Sequence, residues 1–252
     1  MTSILTRALL QQYRGLKQSK GRQATGWFLL EGQRLCRDVL DSLLEIEAAV
    51  VADSFDAFAL PPDLSIYTAT RVQGEQLADS RSPQDIFLIA RIPKTRSLPK
   101  PSDVRKVLAL DRIADPGNVG TLLRSARWFG IETVLLSPQC ADPYNPKTVR
   151  SSMGAIGALD IHRHVDLIAY CEDWVTAGGK LVGLDMTGAA IQDHDFQMPM
   201  VLIVGSEAHG LDPKLASRAK CLKIPRAGSG ESLNAAMAGT IALWEWSRKP
   251  SA

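Results

Sequence analysis

An α/β fold in two parts is what this sequence predicts: a mostly parallel sheet with helices on both faces, preceded by a small α/β domain. Two observations carry the prediction. Beyond residue 104, short apolar runs alternate with amphipathic helical stretches, the rhythm of a parallel sheet with helical crossovers. Ahead of that region, three strand-like runs and one helical stretch are set apart by Arg91-Ile92-Pro93-Lys94-Thr95-Arg96-Ser97-Leu98-Pro99-Lys100-Pro101. Its three prolines and its lack of a sustained apolar period mark a semi-rigid linker. The limits read from this are a first domain over 1–95, a linker over 96–103 and a second domain over 104–252.

Along the chain, Arg7, Arg14, Lys17, Lys20 and Arg22 all precede the first acidic residue, Glu31. An acid-free start of this kind suits an organellar transit peptide, an arm for the phosphate backbone of RNA or a solvated helix. It runs directly into Trp27-Phe28-Leu29-Leu30-Glu31-Gly32, a strand and turn, which favours the RNA reading with Arg14, Lys17, Lys20 and Arg22 as substrate contacts. Strands follow from the apolar runs Phe28–Leu30, Ala48–Val51 and Ile86–Ala90. Leu35, Val39, Leu40, Leu43 and Leu44 recur at helical spacing over Gln33–Leu44.

In the second domain, Val104–Leu110, Thr133–Leu136, Lys180–Asp185, Met200–Gly205 and Cys221–Ile224 have the near-continuous apolar character of buried parallel strands. Val119–Phe129 puts Val119, Leu122, Leu123, Ala126 and Phe129 on one helical face, with Gly130 as its stop. Asp166–Thr176 repeats the pattern, and Ser232–Arg248 is a long final helix.

Composition permits many functions and excludes few. The 252 residues are 45% hydrophobic and 22% charged, ordinary for a globular protein, and the net charge of +2 does not announce a nucleic-acid binder. Cys36, Cys140, Cys171 and Cys221 form no CxxC pair, so reduced thiols in a cytoplasmic protein are expected rather than a zinc site or disulfide framework. No run approaches the apolar length of a membrane span. His162 and His164 alternate as strand-face residues would, His209 lies in a loop, and no metal is expected.

Three segments carry the chemistry. In Asp115-Pro116-Gly117-Asn118-Val119-Gly120-Thr121-Leu122-Leu123-Arg124, a turn leads into a helix for which Asn118 is a natural cap. Arg124, six residues on, can make a forked contact with phosphate or carboxylate near the helix start. In Ile203-Val204-Gly205-Ser206-Glu207-Ala208-His209-Gly210, a strand-end glycine allows close backbone approach, and Glu207 is placed to pair with Arg124. The run lacks the close glycine pair of a dinucleotide fingerprint, and the chain has no P-loop. In Ile224-Pro225 through Ser232-Leu233-Asn234, a Gly-rich loop meets a helix start with Ser232 as the expected cap. Small Ala235, Ala236, Ala238 and Gly239 beyond it admit a closely packed backbone.

In this order and spacing the three segments resemble the motifs of the SpoU (TrmH) group of RNA ribose 2'-O-methyltransferases, over roughly Val104 to Arg248. The resemblance implies a C-terminal trefoil knot and S-adenosylmethionine as cofactor, held by backbone at Gly205, Ile224 and Leu233, with Leu184 added to that set. It also implies active-site positions at Asn118, Arg124, Glu207, Ser232 and Asn234, and a homodimer with the knot region and final helix in its interface. Phe28-Leu29-Leu30-Glu31-Gly32 resembles the ribosomal-protein-like substrate domain of the ribosomal RNA branch, so ribosomal RNA is expected ahead of tRNA. Gln84-Asp85, where such proteins commonly have Gln-Gly, is a departure, and Ala208-His209 occupies a variable stretch. Arg124 has been cast as the base in this family, but a guanidinium resists deprotonation. Its expected role is phosphate clamp and stabiliser of the developing oxyanion, with the base unassigned. The alternatives are a tRNA 2'-O-methyltransferase and an RNA-binding or ribosome-assembly factor of the same fold without catalysis.

Overall fold

The computed structural model describes residues 2–53, 55–80, 85–94, 96–229 and 232–249. Gln84, Thr95, and Gly230 and Glu231 of the third motif lie outside the described residues. The chain forms two compact units, residues 1–94 with 142–158, and residues 95–141 with 159–252.

The first unit starts with β1 (Thr2–Ile4), α1 (Arg7–Gly15), α2 (Ser19–Thr25), β2 (Trp27–Glu31) and α3 (Gln33–Leu40). It continues with β3 (Ile46–Ala52), β4 (Ser65–Ala69), α4 (Arg71–Leu77) and β5 (Ile86–Arg91). The strands make a mixed sheet of order β1-β4-β3-β5-β2 among the described residues. Helix α3 ends four residues before the expected Leu44, because Leu43 is 96% exposed and gives no apolar face to continue. The basic lead-in is built into this unit: Leu5, Leu10, Tyr13 and Leu16 join the core with Leu29, Val50 and Ile89. That packing is at odds with the transit-peptide reading of this segment.

The second unit opens with β6 (Lys106–Asp111), α5 (Pro116–Trp128) and β7 (Thr133–Leu136). The chain then supplies residues 142–158, with α6 (Pro146–Ser152), to the first unit. There α6 packs on β2, and Phe28 and Tyr144 lie with ring centroids 4.9 Å apart. Returning, the chain forms β8 (Asp160–His162), α7 (Leu167–Thr176), β9 (Lys180–Ala190), β10 (Met200–Gly205), α8 (Pro213–Ala216), β11 (Lys220–Lys223) and α9 (Ala235–Arg248). The sheet order is β11-β9-β10-β6-β7-β8, every pairing parallel.

Alternation along the central strands puts helices on both faces. Val107, Ala109, Val201 and Ile203 pack with Tyr170, Trp174 and Leu215 of α7 and α8. On the other face α9 lies so close that a Cβ on Gly239 would meet Leu122 of α5 and Val204 of β10. Strand β9 outruns the expected Asp185, since it re-pairs with β11 through a register shift after Cys221. His162 is buried on β8 with its Nε2 2.9 Å from Asp160, but His164 lies beyond the strand at φ +57°, so the two do not alternate on it. Among the described residues, no helix is long and apolar enough to cross a membrane.

Candidate active site

The three motifs converge at the carboxyl ends of the parallel strands of the second unit, where ligands bind open α/β sheets. Helix α5 begins one turn earlier than expected. Asp115 is its cap, accepting from the Asn118 amide at 3.0 Å, and Pro116 takes the first helical position. Asn118 is therefore the third helical residue, and its side chain is released for other contacts. The cap of α9 is likewise Asn234 and not Ser232; Asn234 Oδ1 accepts from Ala236 N at 2.9 Å and Met237 N at 3.2 Å.

These two displacements create the central feature of the site. Asn234 has spent its carbonyl on the helix start, so its Nδ2 donates, reaching Asn118 Oδ1 at 3.1 Å. Asn118 has then spent its own carbonyl, and its Nδ2 donates to Glu207 Oε1. A carboxylate only accepts, so the direction of the chain Asn234 to Asn118 to Glu207 is fixed at both ends. Helices α5 and α9 lie side by side below it, joined by the Ser125 and Thr240 hydroxyls at 2.8 Å.

Glu207 thus pairs with Asn118, whereas the sequence pointed to Arg124. Arg124 is exposed and has no partner among the described residues, which leaves its fork of donors available to a ligand. Ser232, two residues before the Asn234 cap, is exposed and does not cap α9.

The expected cofactor residues lie along one edge. Gly183 pairs with Ile203 of β10 and with Cys221 of β11, so Leu184, Gly205 and Ile224 follow the level at which three adjacent strands pair. Gly205 has no room for a side chain: a Cβ would fall 2.4 Å from the Gly210 carbonyl group. Residues 206–210 can turn back sharply for that reason, closed by Gly210 N to Ser206 O at 2.9 Å. Ile224 and Leu233 belong to no helix or strand, so their backbone groups are not committed to a ladder, and Leu233 is exposed. An adenine ring needs such apolar flanks with free backbone donors and acceptors, and these residues fit that part of the cofactor. No cluster of metal-ligating side chains occurs among the described residues.

In the first unit, the four basic residues expected to meet RNA divide into two kinds. Arg22 is 2% exposed; Nη2 reaches Asp142 Oδ2 at 2.6 Å, and Nη1 donates to the Leu16 and Lys17 carbonyls. It is structural, and its expected role in RNA contact is corrected. Lys17 is half-buried, its ammonium is bonded to the Ala78 carbonyl, and burial lowers its pKa. Arg14 and Lys20 remain exposed. Nothing local in the sequence distinguishes Arg22, since Asp142 lies 120 residues away.

Residues 105–244 match the SpoU rRNA Methylase family. The chain belongs to that family. Residues 8–88 match the MRM3-like substrate binding domain. Among curated relatives, the chain is 30% identical to the Bacillus subtilis (strain 168) 23S rRNA (guanosine(2553)-2'-O)-methyltransferase RlmP, over 93% of this chain and 94% of that protein. It is 35% identical to the 23S rRNA (uridine(2479)-2'-O)-methyltransferase of Streptomyces viridochromogenes, over 75% and 66%. Of solved structures, the AdoMet-bound rRNA methyltransferase from Sinorhizobium meliloti superposes with a TM-score of 0.83 at 29% identity, covering 98% of this SpoU chain and 97% of that one. The SpoU methyltransferase AviRb from Streptomyces viridochromogenes, in complex with AdoMet, gives 0.81 at 27%, covering 96% and 98%.

Proposed function

We propose that this SpoU-family chain transfers a methyl group from S-adenosylmethionine to a ribose 2'-hydroxyl of ribosomal RNA. The single observation that carries the reading is the Asn234–Asn118–Glu207 chain at the carboxyl edge of the parallel sheet, with Arg124 six residues along α5 and without a partner among the described residues. S-adenosylmethionine, when bound, supplies an activated methyl group. Leu184, Gly205, Ile224 and Leu233 would hold it through backbone groups and apolar flanks. Arg124 binds an RNA phosphate and offsets charge developing on the 2'-oxygen. Asn118, fixed from both sides, and Glu207 orient the ribose, so positioning supplies much of the acceleration. Ser232 lines the approach. The segment from Lys220 to Arg248 is read as the knotted part of the fold.

Exposed apolar side chains, Trp128 of α5 and Met237 and Trp244 of α9, support a homodimer. Four free thiols support a cytosolic location. Ribosomal RNA is preferred to tRNA because the first unit matches a substrate-binding domain and the similar full-length relatives are named for 23S rRNA.

The test is transfer of labelled methyl from S-adenosylmethionine to ribosomal RNA and to tRNA, with chelator present, followed by mapping of the modified sugar. Transfer to a ribose of ribosomal RNA is expected. Cofactor binding without transfer would favour an assembly factor, and neither binding nor transfer would overturn the reading.

A further inference from the structure

We propose that Asp111 and Arg112 form a positioning latch that seats the 206–210 turn, and so sets the Glu207 carboxylate against Asn118; the inference rests on the methyltransferase reading above. Arg112 stands at φ +59°, in the left-handed region that non-glycine residues seldom occupy. Such a backbone persists only where its surroundings over-determine it, and here they do. The Arg112 amide donates to Ser137 Oγ at 2.9 Å. Its guanidinium forks onto the Asp111 carboxylate, Nε at 3.2 and 3.3 Å and Nη2 at 3.1 Å, and Nη2 also reaches the Gly210 carbonyl at 3.3 Å.

Asp111 completes the latch. It ends β6, is buried, and accepts the Asp212 amide at 2.8 Å through the same Oδ2 that receives Arg112. Two adjacent residues at the end of one strand thereby hold Gly210 and Asp212, the closing side of the turn that begins after β10. The turn is short and shut at its neck, since Ser206 and Gly210 form a backbone bridge and His209 N donates to Ser206 Oγ at 3.2 Å. A rigid turn with a fixed base places its second residue, Glu207, without any direct contact between Glu207 and the latch. Arg112 acts through Glu207 and is a positioning residue.

The deciding experiment uses the full chain, with Arg112→Gly, Glu207→Gln and the double variant compared with wild type. Glycine suits φ +59°, so Arg112→Gly keeps the fold while removing the fork. Its kcat for methyl transfer should fall roughly tenfold, as a displaced positioning group costs. Relief of the left-handed backbone offsets part of the cost of stranding the buried Asp111 carboxylate, so the thermal midpoint should fall modestly while the fold is kept, and cofactor affinity should stay within about twofold, the pattern of a loss confined to the reacting state. Amides of residues 208–212 should exchange faster. Because both residues work through one carboxylate, the double variant should be no slower than Glu207→Gln alone. A wild-type rate in Arg112→Gly, or losses that multiply in the double variant, would overturn the latch. A wild-type chain that transfers no methyl group would overturn the methyltransferase reading instead. The exchange rates of the 208–212 amides, which need no turnover, would then decide the latch: faster exchange in Arg112→Gly upholds it, and unchanged exchange removes it.

Discussion

Replacing Asn118 by alanine takes the middle amide out of the Asn234–Asn118–Glu207 chain. Two hydrogen bonds disappear, the 3.1 Å bond from Asn234 and the bond to Glu207. Both lie at the surface, where water can substitute, so each contributes about 0.5–1.5 kcal/mol at most. Alanine returns roughly 0.5 kcal/mol in helix propensity at this third residue of α5. The Asp115 cap survives, because it binds the backbone amide and not the side chain. The net destabilisation is then about 2.5 kcal/mol or less, a fall in Tm of no more than roughly 10 °C for a chain of this size. Turnover responds on a different scale. Glu207 and Asn234 lose their common partner, and a site loosened by about 1 Å loses on the order of a hundredfold in rate. Methyl transfer at saturating cofactor, measured beside a thermal melt, separates the two effects. A near wild-type rate would refute the positioning argument. A melt lowered by well over about 10 °C would show that Asn118 is chiefly structural.

Arg124→Ala should abolish methyl transfer and leave S-adenosylmethionine affinity unchanged by calorimetry, because the free guanidinium serves the RNA and the reacting oxygen. Arg14→Ala with Lys20→Ala should weaken RNA binding and flatten its log–log salt dependence by roughly 0.7–0.9 per charge. Arg22→Ala should instead destabilise the first unit by roughly 2–4 kcal/mol, because it strands Asp142 and two carbonyls; a denaturant melt checks this. Burial pushes the Cys36 and Cys171 thiols up to about 12, against an ordinary 9.0. A raised folded value gives stability that is complete below pH 9 and is lost as pH rises toward 12, so Tm should fall between pH 8.5 and 10.5. A Tm that stays flat or rises over that range would contradict the assignment.

The second unit was legible because its central strands are buried on both faces, and Val107 to Leu110 and Val201 to Val204 read as unbroken apolar runs. In the first unit β1 and β4 were not, since β1 is an exposed edge of three residues and β4 is mostly half-buried, neither with a strong apolar alternation. At the candidate site, two local roles were misplaced. Asp115 and Asn118 are both good caps, as are Ser232 and Asn234, and propensity alone does not rank them. Pro116 was the available signal for Asp115, because proline favours the first helical position. The pairing of Glu207 with Asn118 rather than Arg124 followed from that one-turn shift. The latch was invisible for another reason: a left-handed Arg112 contradicts local preference, and only contacts from Ser137 and Gly210 explain it.

The chain's return to the first unit at residues 142–158 bears on how such a protein can be re-engineered or recombined. The first unit is not a cassette that one cut releases. A graft of residues 1–94 onto another catalytic body would leave behind Tyr144, whose ring lies tilted against Phe28, and Asp142, which neutralises Arg22. The body left behind would carry buried Tyr144, Val149 and Ile156 with nothing to cover them. A change of RNA specificity by exchange of modules therefore has to move two pieces of sequence together, and inheritance of this head is tied to inheritance of a loop that lies between β7 and β8 of the catalytic sheet.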